Sequence, residues 1–191
     1  MTKLPRVHYL YLYCTDLTYF PEDFEAFIMA CQVKGLLANR YEKLGPDHYL
    51  VGDHFLQHVS FLGCSPYLKV FPETDDDTDF CSAVIPASPT AVNYRASRQV
   101  TAPRCPVCKK SIQSYQTVMQ EWQRHKKNIV IQCQKCGESS TLYDLDWRKN
   151  AGFFRFSIAI SNIFPKEAIP GDALLDWLKA LTQHEWKYFY I

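Results

Sequence analysis

Two short cysteine pairs decide how this chain is organised: Cys105-Pro106-Val107-Cys108 and, after a gap of 24 residues, Cys133-Gln134-Lys135-Cys136-Gly137. Two residues between paired cysteines allow a tight turn to direct both sulfurs towards one point, so two such turns can enclose a tetrahedral ion. Four thiolates leave no open coordination position for water. We therefore predict one structural zinc ion that holds the backbone together rather than activating water. Its predicted ligands are Cys105, Cys108, Cys133 and Cys136.

The paired motif resembles the zinc-ribbon module, in which two Cys-x-x-Cys turns, called knuckles, are joined by a connection and braced by short strands. Gly137 follows the second pair and suits the positive φ that ends such a knuckle, and Lys109 has the same position after the first pair. The resemblance covers roughly residues 101–149. Zinc ribbons bind nucleic acid, dock proteins or only stabilise a fold, so the resemblance implies a metal without naming an activity.

Alternative interpretations of the cysteines remain open. A thioredoxin-like redox pair needs only one Cys-x-x-Cys, and four thiolates can also hold an iron–sulfur cluster. A second metal site is disfavoured because the remaining cysteines are irregularly spaced. In a reducing compartment we expect them to be small buried hydrophobic side chains. They are Cys14, Cys31, Cys64 and Cys81.

Composition and charge restrict the class of protein. The 191 residues are 47% hydrophobic and 15% aromatic, which excludes a disordered chain and predicts a core rich in Phe and Tyr. A formal net charge of +1 lacks the basic excess by which duplex-binding proteins displace counterions. Arg6 and His8 interrupt the apolar core that a signal peptide would need, and no apolar run reaches membrane-spanning length. We therefore expect a cytoplasmic protein without membrane contact.

Hydrophobic periodicity outside the cysteine motif predicts two β-α-β units. The first contains a strand at 7–14, a helix from Pro21 to a stop at Gly35, and strands at 36–42 and 55–63. The second contains a strand at 153–160, a helix that begins near Asp172, and a last strand at 186–191. These units predict an α+β fold, a ferredoxin-like split β-α-β sandwich with an inserted four-cysteine zinc ribbon. Its core domain would comprise 1–100 and 150–191, with the ribbon at 101–149.

Shorter elements complete the prediction. Within the ribbon, 112–124 has the pattern of a helix and 128–132 that of a strand. Between the two units, 67–71 and 80–85 predict short strands, and prolines around them favour edge positions. The acidic run 73–79 lacks the spacing of a calcium loop and is expected to be a solvated hairpin tip.

One concentration of acid–base side chains lies outside the ribbon: Asp47, His48, Asp53, His54 and His58. His54 and His58 stand four residues apart and would share a face of a helix or strand, so one of them could serve as a general base. No phosphate loop, nucleophile elbow or His-Glu-x-x-His pattern accompanies them. We therefore predict no catalytic residue and no second metal, and keep an enzyme using His48, His54 and His58 as an alternative.

Aromatic residues alternate along the first and last predicted strands: Tyr9, Tyr11, Tyr13, Trp186, Tyr188 and Tyr190. If these strands are neighbours, we expect the six side chains to form one cluster on one sheet face, with both helices on the other. Such a face can dock a protein or stack unpaired bases, or be covered by 64–100 or the ribbon. We expect a binding or adaptor protein with a protein partner.

The alternative partner is single-stranded nucleic acid, contacted by the aromatic face together with basic residues of the ribbon. Those basic residues are Lys109, Lys110, Arg124, Lys126 and Lys127.

Overall fold

The structure, a computed structural model, describes residues 8–62, 68–74 and 77–191. Its strands are β1 (Tyr9–Cys14), β2 (Leu37–Arg40), β3 (His48–Val51), β4 (Val59–Phe61), β5 (Ser82–Val84), β6 (Asn93–Ala96), β7 (Val130–Gln132), β8 (Ser139–Thr141), β9 (Ala151–Phe154), β10 (Ser157–Ser161), β11 (Ala168–Pro170) and β12 (Trp186–Tyr190). Its helices are α1 (Phe24–Val33), α2 (Phe55–His58), α3 (Tyr115–His125) and α4 (Asp172–Thr182). Within the described ranges, no helix is both long enough and apolar enough to cross a membrane.

The chain is a mixed α/β protein organised around a six-stranded sheet with the order β12-β1-β10-β5-β3-β2. All neighbouring pairs in this sheet are antiparallel. Among the described residues, three two-stranded sheets accompany it: β11 with β4, β6 with β9, and β7 with β8. The first and last strands are neighbours, as predicted. The ferredoxin-like prediction did not anticipate β3 and β5, which lie between β10 and β2.

Helices α1 and α4 cover one face of this sheet, as predicted. The Asp23 carboxylate accepts a hydrogen bond from the Ala26 N–H at 2.9 Å, which caps the start of α1. Gly35, with a φ of +73°, ends the turn after the helix. The side chains that fill the layer between helices and sheet include Leu10, Leu12, Ile28, Cys31, Ile158, Leu174 and Leu178.

The predicted burial of the cysteines outside the motif is confirmed for the three that the structure describes. Cys14, Cys31 and Cys81 are 0% exposed. They belong to the hydrophobic core between the helices and the six-stranded sheet, which we call the main core. Their sulfurs are free thiols. Cys64 lies outside the described residues.

The strand predicted at 153–160 is two strands, because the chain bends at Arg155 and Phe156. The second strand, β10, continues the six-stranded sheet, and Phe156, Ile158 and Ile160 pack in the main core. The first strand, β9, pairs with β6 instead. A single strand over 153–160 would place Phe154 on the same face as Phe156, Ile158 and Ile160, and for Phe154 this prediction is wrong. It lies away from the helices, with its ring 5.5 Å from that of Tyr11.

Other boundaries also differ. Residues 55–63 contain the short helix α2 and then β4, and β3 was not anticipated. Residues 68–71 form no strand, and Tyr67 lies outside the described residues. In the acidic run, the described residues Glu73, Thr74, Thr78 and Asp79 are exposed as predicted, whereas the Asp77 side chain is only 9% exposed and its carboxylate lies 2.6 Å from Lys69 Nζ. Asp75 and Asp76 lie outside the described residues.

Candidate metal centre and adjoining cleft

The four predicted ligand sulfurs converge on one point. All of them lie within 4.8 Å of one another. The Sγ atoms of Cys105 and Cys136 are 3.7 Å apart, and those of Cys108 and Cys133 are 3.6 Å apart. A tetrahedral ion with metal–sulfur bonds of about 2.3 Å requires sulfurs separated by about 3.8 Å. The cluster therefore has the dimensions needed to hold one metal ion.

Two knuckles of the same backbone design position these sulfurs. In the first, the Lys109 N–H donates to the Cys105 carbonyl at 3.1 Å; in the second, the Gly137 N–H donates to the Cys133 carbonyl at 2.9 Å. The φ of Lys109 is +59° and that of Gly137 is +75°. Glycine adopts this conformation freely, whereas it costs an L-residue roughly 1–2 kcal/mol. The first knuckle therefore holds a lysine in a conformation that its surroundings must stabilise.

The thiols of Cys133 and Cys136 have pKa values that are shifted in opposite directions. The backbone N–H groups of Lys135 and Cys136 lower the pKa of the Cys133 thiol to about 6. The Glu138 N–H also lowers the pKa of Cys136, but desolvation and the three neighbouring cysteine sulfurs outweigh it and raise that pKa to about 12. Metal binding requires thiolates. A cation at the centre would offset the repulsion that disfavours a second negative charge.

A separate hydrophobic core supports the knuckles. Helix α3 lies within three residues of the helix predicted at 112–124; it buries Tyr115, Met119 and Trp122, while Val118 packs at the margin. The Trp122 Nε1–H donates to the Tyr143 hydroxyl at 2.7 Å, and the Trp147 Nε1–H donates to the Leu142 carbonyl at 2.9 Å. Hairpin β7–β8 ends beside the second knuckle, where Cys133 N–H donates to the Glu138 carbonyl at 2.8 Å.

Strand β9 joins this core to the main sheet. The Phe153 ring lies 5.0 Å from Trp122 and 4.8 Å from Tyr94 on the side of the cysteine knuckles. The next residue, Phe154, faces the Tyr11 side of the six-stranded sheet. We call residues 101–149 the metal module. Its hydrophobic core also includes side chains of β6 and β9, which lie outside this range.

A cleft of about 710 Å³ opens between the metal module and the outer edge of β12. We call it the β12 cleft. Its lining includes Pro106 and Lys109 of the first knuckle, residues 143–149, β9, Leu175 of α4, and Trp186, Lys187 and Tyr188 of β12. A site between two packed bodies is a common position for ligand binding.

Cations outnumber carboxylates in this lining. The cations are Lys109, Arg148, Lys149 and Lys187. Both carboxylates already have partners, since Asp144 accepts from Thr141 and Asp146 accepts from the Arg148 N–H. Arg148 and Lys149 both have positive φ, at +51° and +60°. Consecutive non-glycine residues in this region are strained, which is frequent at functional sites.

The histidines do not form a second metal cluster in the described part of the chain, where the four cysteines are the only set of three or more metal-capable side chains close enough for one ion. His58 Nε2 lies 3.0 Å from the Lys34 carbonyl, and the His54 side chain packs against Gly35. Both therefore contact the turn after α1. His48 Nδ1 is buried without a partner among the described residues, and desolvation lowers the pKa of this imidazole, although Asp47 raises it.

The predicted six-residue aromatic cluster is wrong, because the pairing register separates its members. Tyr11 lies opposite Phe189, and Tyr13 lies opposite Lys187. Trp186, Tyr188 and Tyr190 therefore face the helices. The face of Tyr9, Tyr11 and Tyr13 is completed by Phe189 and Phe154, and these two phenylalanines are buried while the three tyrosines are half-buried. This face is therefore partly covered, and the cover includes Phe154 of β9.

Comparison of the chain with protein-family models, curated proteins and solved structures gave no match. Sequence reasoning had located the cysteine centre but missed the cleft, whose cations are far apart in the chain. Of the four cleft cations, only Lys109 is identified from the sequence as a candidate binding residue. The unusual backbone at Arg148 and Lys149 has no signal in the sequence, because neither residue is a glycine.

Proposed function

We propose that this protein binds another protein through the β12 cleft, one wall of which is held in place by a structural zinc ion. The observation that carries the proposal is the position of the first knuckle: Pro106 and Lys109 lie between or beside two metal ligands and also line the cleft. Closing the four sulfurs around one ion would therefore preorganise a binding wall. Preorganised walls improve affinity because less conformational entropy is lost on binding.

The chemistry of the donor set supports zinc in a zinc-ribbon arrangement. Four cysteine sulfurs in a tetrahedron match the preference of Zn²⁺ for thiolate ligands, and the β7–β8 hairpin braces the second knuckle as ribbon strands do. Four protein ligands exclude water from the metal, so the ion would stabilise structure. Free buried thiols and thiolate ligands both favour a reducing, cytoplasmic compartment.

Single-stranded nucleic acid is the second candidate partner. The observation that favours it is the combination of four cations with Tyr188, Tyr143 and other aromatic side chains in the cleft. Two findings favour protein instead. The net charge of +1 supplies little attraction for phosphates, and on the tyrosine face of the sheet the Tyr11 ring already contacts Phe154 and Phe189. The histidines provide no supporting observation for catalysis.

Photo-crosslinking in the native cell tests the proposal. A photoreactive amino acid is placed at Lys187 in the cleft and, as a matched control, at Lys127, an exposed lysine outside the cleft lining. We expect one protein to crosslink at Lys187 and not at Lys127, and the crosslink to be lost in Cys133→Ser, which removes a metal ligand. Crosslinking of RNA instead of protein, or the same products at both positions, would contradict the proposal.

A further inference from the structure

Strand β12 is an outer strand of the six-stranded sheet, and its backbone is only half paired. Residues Glu185 and Ile191 bond to β1: the Thr15 N–H donates to the Glu185 carbonyl at 2.9 Å, and the Ile191 N–H donates to the Tyr9 carbonyl at 3.0 Å. In an antiparallel pair, alternate residues point to the two sides of the strand. The backbone groups of Trp186, Tyr188 and Tyr190 therefore point away from the sheet.

One of these outward-pointing residues already has a backbone hydrogen-bond partner within the chain. The Tyr190 N–H donates to the Lys149 carbonyl at 3.1 Å. The backbone N–H and C=O groups of Trp186 and Tyr188 have no hydrogen-bond partner among the residues that the structure describes. Both residues line the β12 cleft. An unpaired strand edge inside a cleft is a template for an added strand from another chain.

The chemistry of the cleft differs on the two sides of this edge. Lys187 points to the face of the sheet where β9 and the metal module lie, since it is opposite Tyr13. Arg148 lies on the same wall; one Nη atom donates to the Ala102 carbonyl at 2.9 Å, and its Nε is buried without a partner within the described residues. On the opposite, helix-covered side the cleft is lined by Leu175. On that same side the Lys149 Nζ lies 4.1 Å from the centre of the Tyr188 ring and donates to its hydroxyl, so this cation is already engaged. A strand added here would meet Lys187 and Arg148 on one face and Leu175 together with the Tyr188 ring on the other.

We propose that an extended, acidic segment of a partner protein adds as a strand to the Trp186–Tyr188 edge of β12. Every second side chain would be a carboxylate directed to Lys187 and Arg148, and the intervening side chains would be apolar and face Leu175, because side chains of a strand alternate. The proposal rests on the proposed function and specifies the chemistry of the partner.

Backbone chemistry favours a peptide over nucleic acid at this edge. An added peptide strand offers alternating N–H and C=O groups at the spacing of the unpaired groups of Trp186 and Tyr188. A sugar–phosphate backbone carries no such row of donors. Phosphates would engage the cations but leave the N–H and C=O pattern of the edge unmatched.

Titration of the zinc-loaded 191-residue chain with a blocked hexapeptide of alternating glutamate and valine, followed by NMR, tests the proposal. We expect the backbone amide signals of Trp186 and Tyr188 to shift in a saturable way and their hydrogen exchange to slow. Three control peptides should bind more weakly or not at all. They are a peptide of the same composition with its glutamates in one block, an alternating lysine–valine peptide, and the acidic peptide N-methylated at alternate backbone nitrogens.

Two charge-reversal variants test the electrostatic part of the strand proposal. Lys187→Glu should weaken binding of the acidic peptide about fivefold, the size expected for an exposed ion pair. Lys127→Glu makes the same change of charge outside the cleft and should leave the affinity unchanged. Unaltered NMR dispersion in both variants shows that the fold persists.

Three results would overturn the strand proposal: no amide shifts at β12, equal affinity for the N-methylated peptide, or equal effects of the two variants. If the crosslink to a protein at Lys187 persists in those cases, the proposed function stands and only the binding mode is wrong. Tighter binding of a single-stranded RNA decamer than of the acidic peptide, with shifts at the same amides, would overturn both.

Discussion

Each of the four clustered cysteines would supply one of the four bonds to a metal ion. We expect one zinc per chain, and replacement of any ligand, as in Cys105→Ser, should abolish stoichiometric metal and unfold residues 101–149. Structural zinc contributes about 10–16 kcal/mol of binding free energy in small modules, and a module of this size depends on it. Elemental analysis and NMR measure both effects. As a control, Cys31→Ala removes a buried thiol outside the centre and should retain the zinc.

A metal content far below one per chain, or disulfides between these sulfurs, would contradict the assignment of the centre.

Because of the buried thiols of the main core, we expect the free energy of unfolding to decrease at alkaline pH. Burial raises the pKa of Cys31 and of Cys81 to about 12, from 9.0 for an exposed thiol. The folded chain therefore favours the neutral thiol, and this contribution is complete below pH 9 and is lost as the pH rises towards 12. We expect the urea midpoint to fall across this range, and to fall less in Cys31→Ala. An identical pH dependence in that variant would exclude this cause.

Gly152 allows β9 to approach the main sheet closely. A Cβ atom at this position would lie 2.5 Å from Phe189 Cε1 and 2.7 Å from its Cδ1. The Phe189 ring is fully buried, so it has little space to move. Gly152→Ala should therefore destabilise the protein by about 1–3 kcal/mol, measured by urea unfolding. At Gly171 the nearest atom would be 3.4 Å away, so Gly171→Ala should cost clearly less; equal losses would refute the steric argument.

At the scale of elements, the metal module enters between two paired strands. Ala96 at the end of β6 lies opposite Ala151 at the start of β9, and the Ser97 N–H donates to the Asn150 carbonyl at 2.8 Å. The chain thus leaves and returns at neighbouring positions, as is common for insertions. Deleting 101–149 and joining the ends with a short linker should leave the six-stranded sheet folded.

The deletion variant should keep dispersed amide signals for β1, β10 and β12 and unfold cooperatively. Its solubility should decrease, because Phe153 and Tyr94 lose the contacts that bury them on the module side. Collapse of the amide dispersion would show that the module is required for the main sheet to fold.

Taken as a whole, the molecule presents little to attract single-stranded RNA. The net charge is +1, and the Tyr11 ring is stacked on Phe189 at 5.0 Å rather than free to receive a base. Stacking contributes about 1–3 kcal/mol per base, which does not replace phosphate attraction at physiological salt. We expect weak or absent RNA binding in a fluorescence titration. Submicromolar affinity with a steep salt dependence, abolished by Tyr11→Ala, would reverse the choice of partner.

The sequence by itself determined the four-cysteine cluster and the long helices. Both depend on local interactions: a Cys-x-x-Cys turn closes within a few residues, and the periodic apolar residues of α1, α3 and α4 lie on one face of any helix they form. The ends of these helices were predictable to within a few residues for the same reason, since Asp23 and Gly35 are local signals. The pairing of the first and last strands followed from the order of the elements.

Only the tertiary structure decided which faces the strands present and where the cleft lies. Strand side chains alternate with a period of two, so a register that differs by one residue moves every side chain to the other face. The observed register of β1 and β12 places Trp186 and Tyr190 against the helices and Phe189 beside Tyr11. The split between β9 and β10 likewise depends on partners distant in the chain. The cleft cations Lys109, Arg148 and Lys187 meet only after both cores have packed, so no local pattern records them.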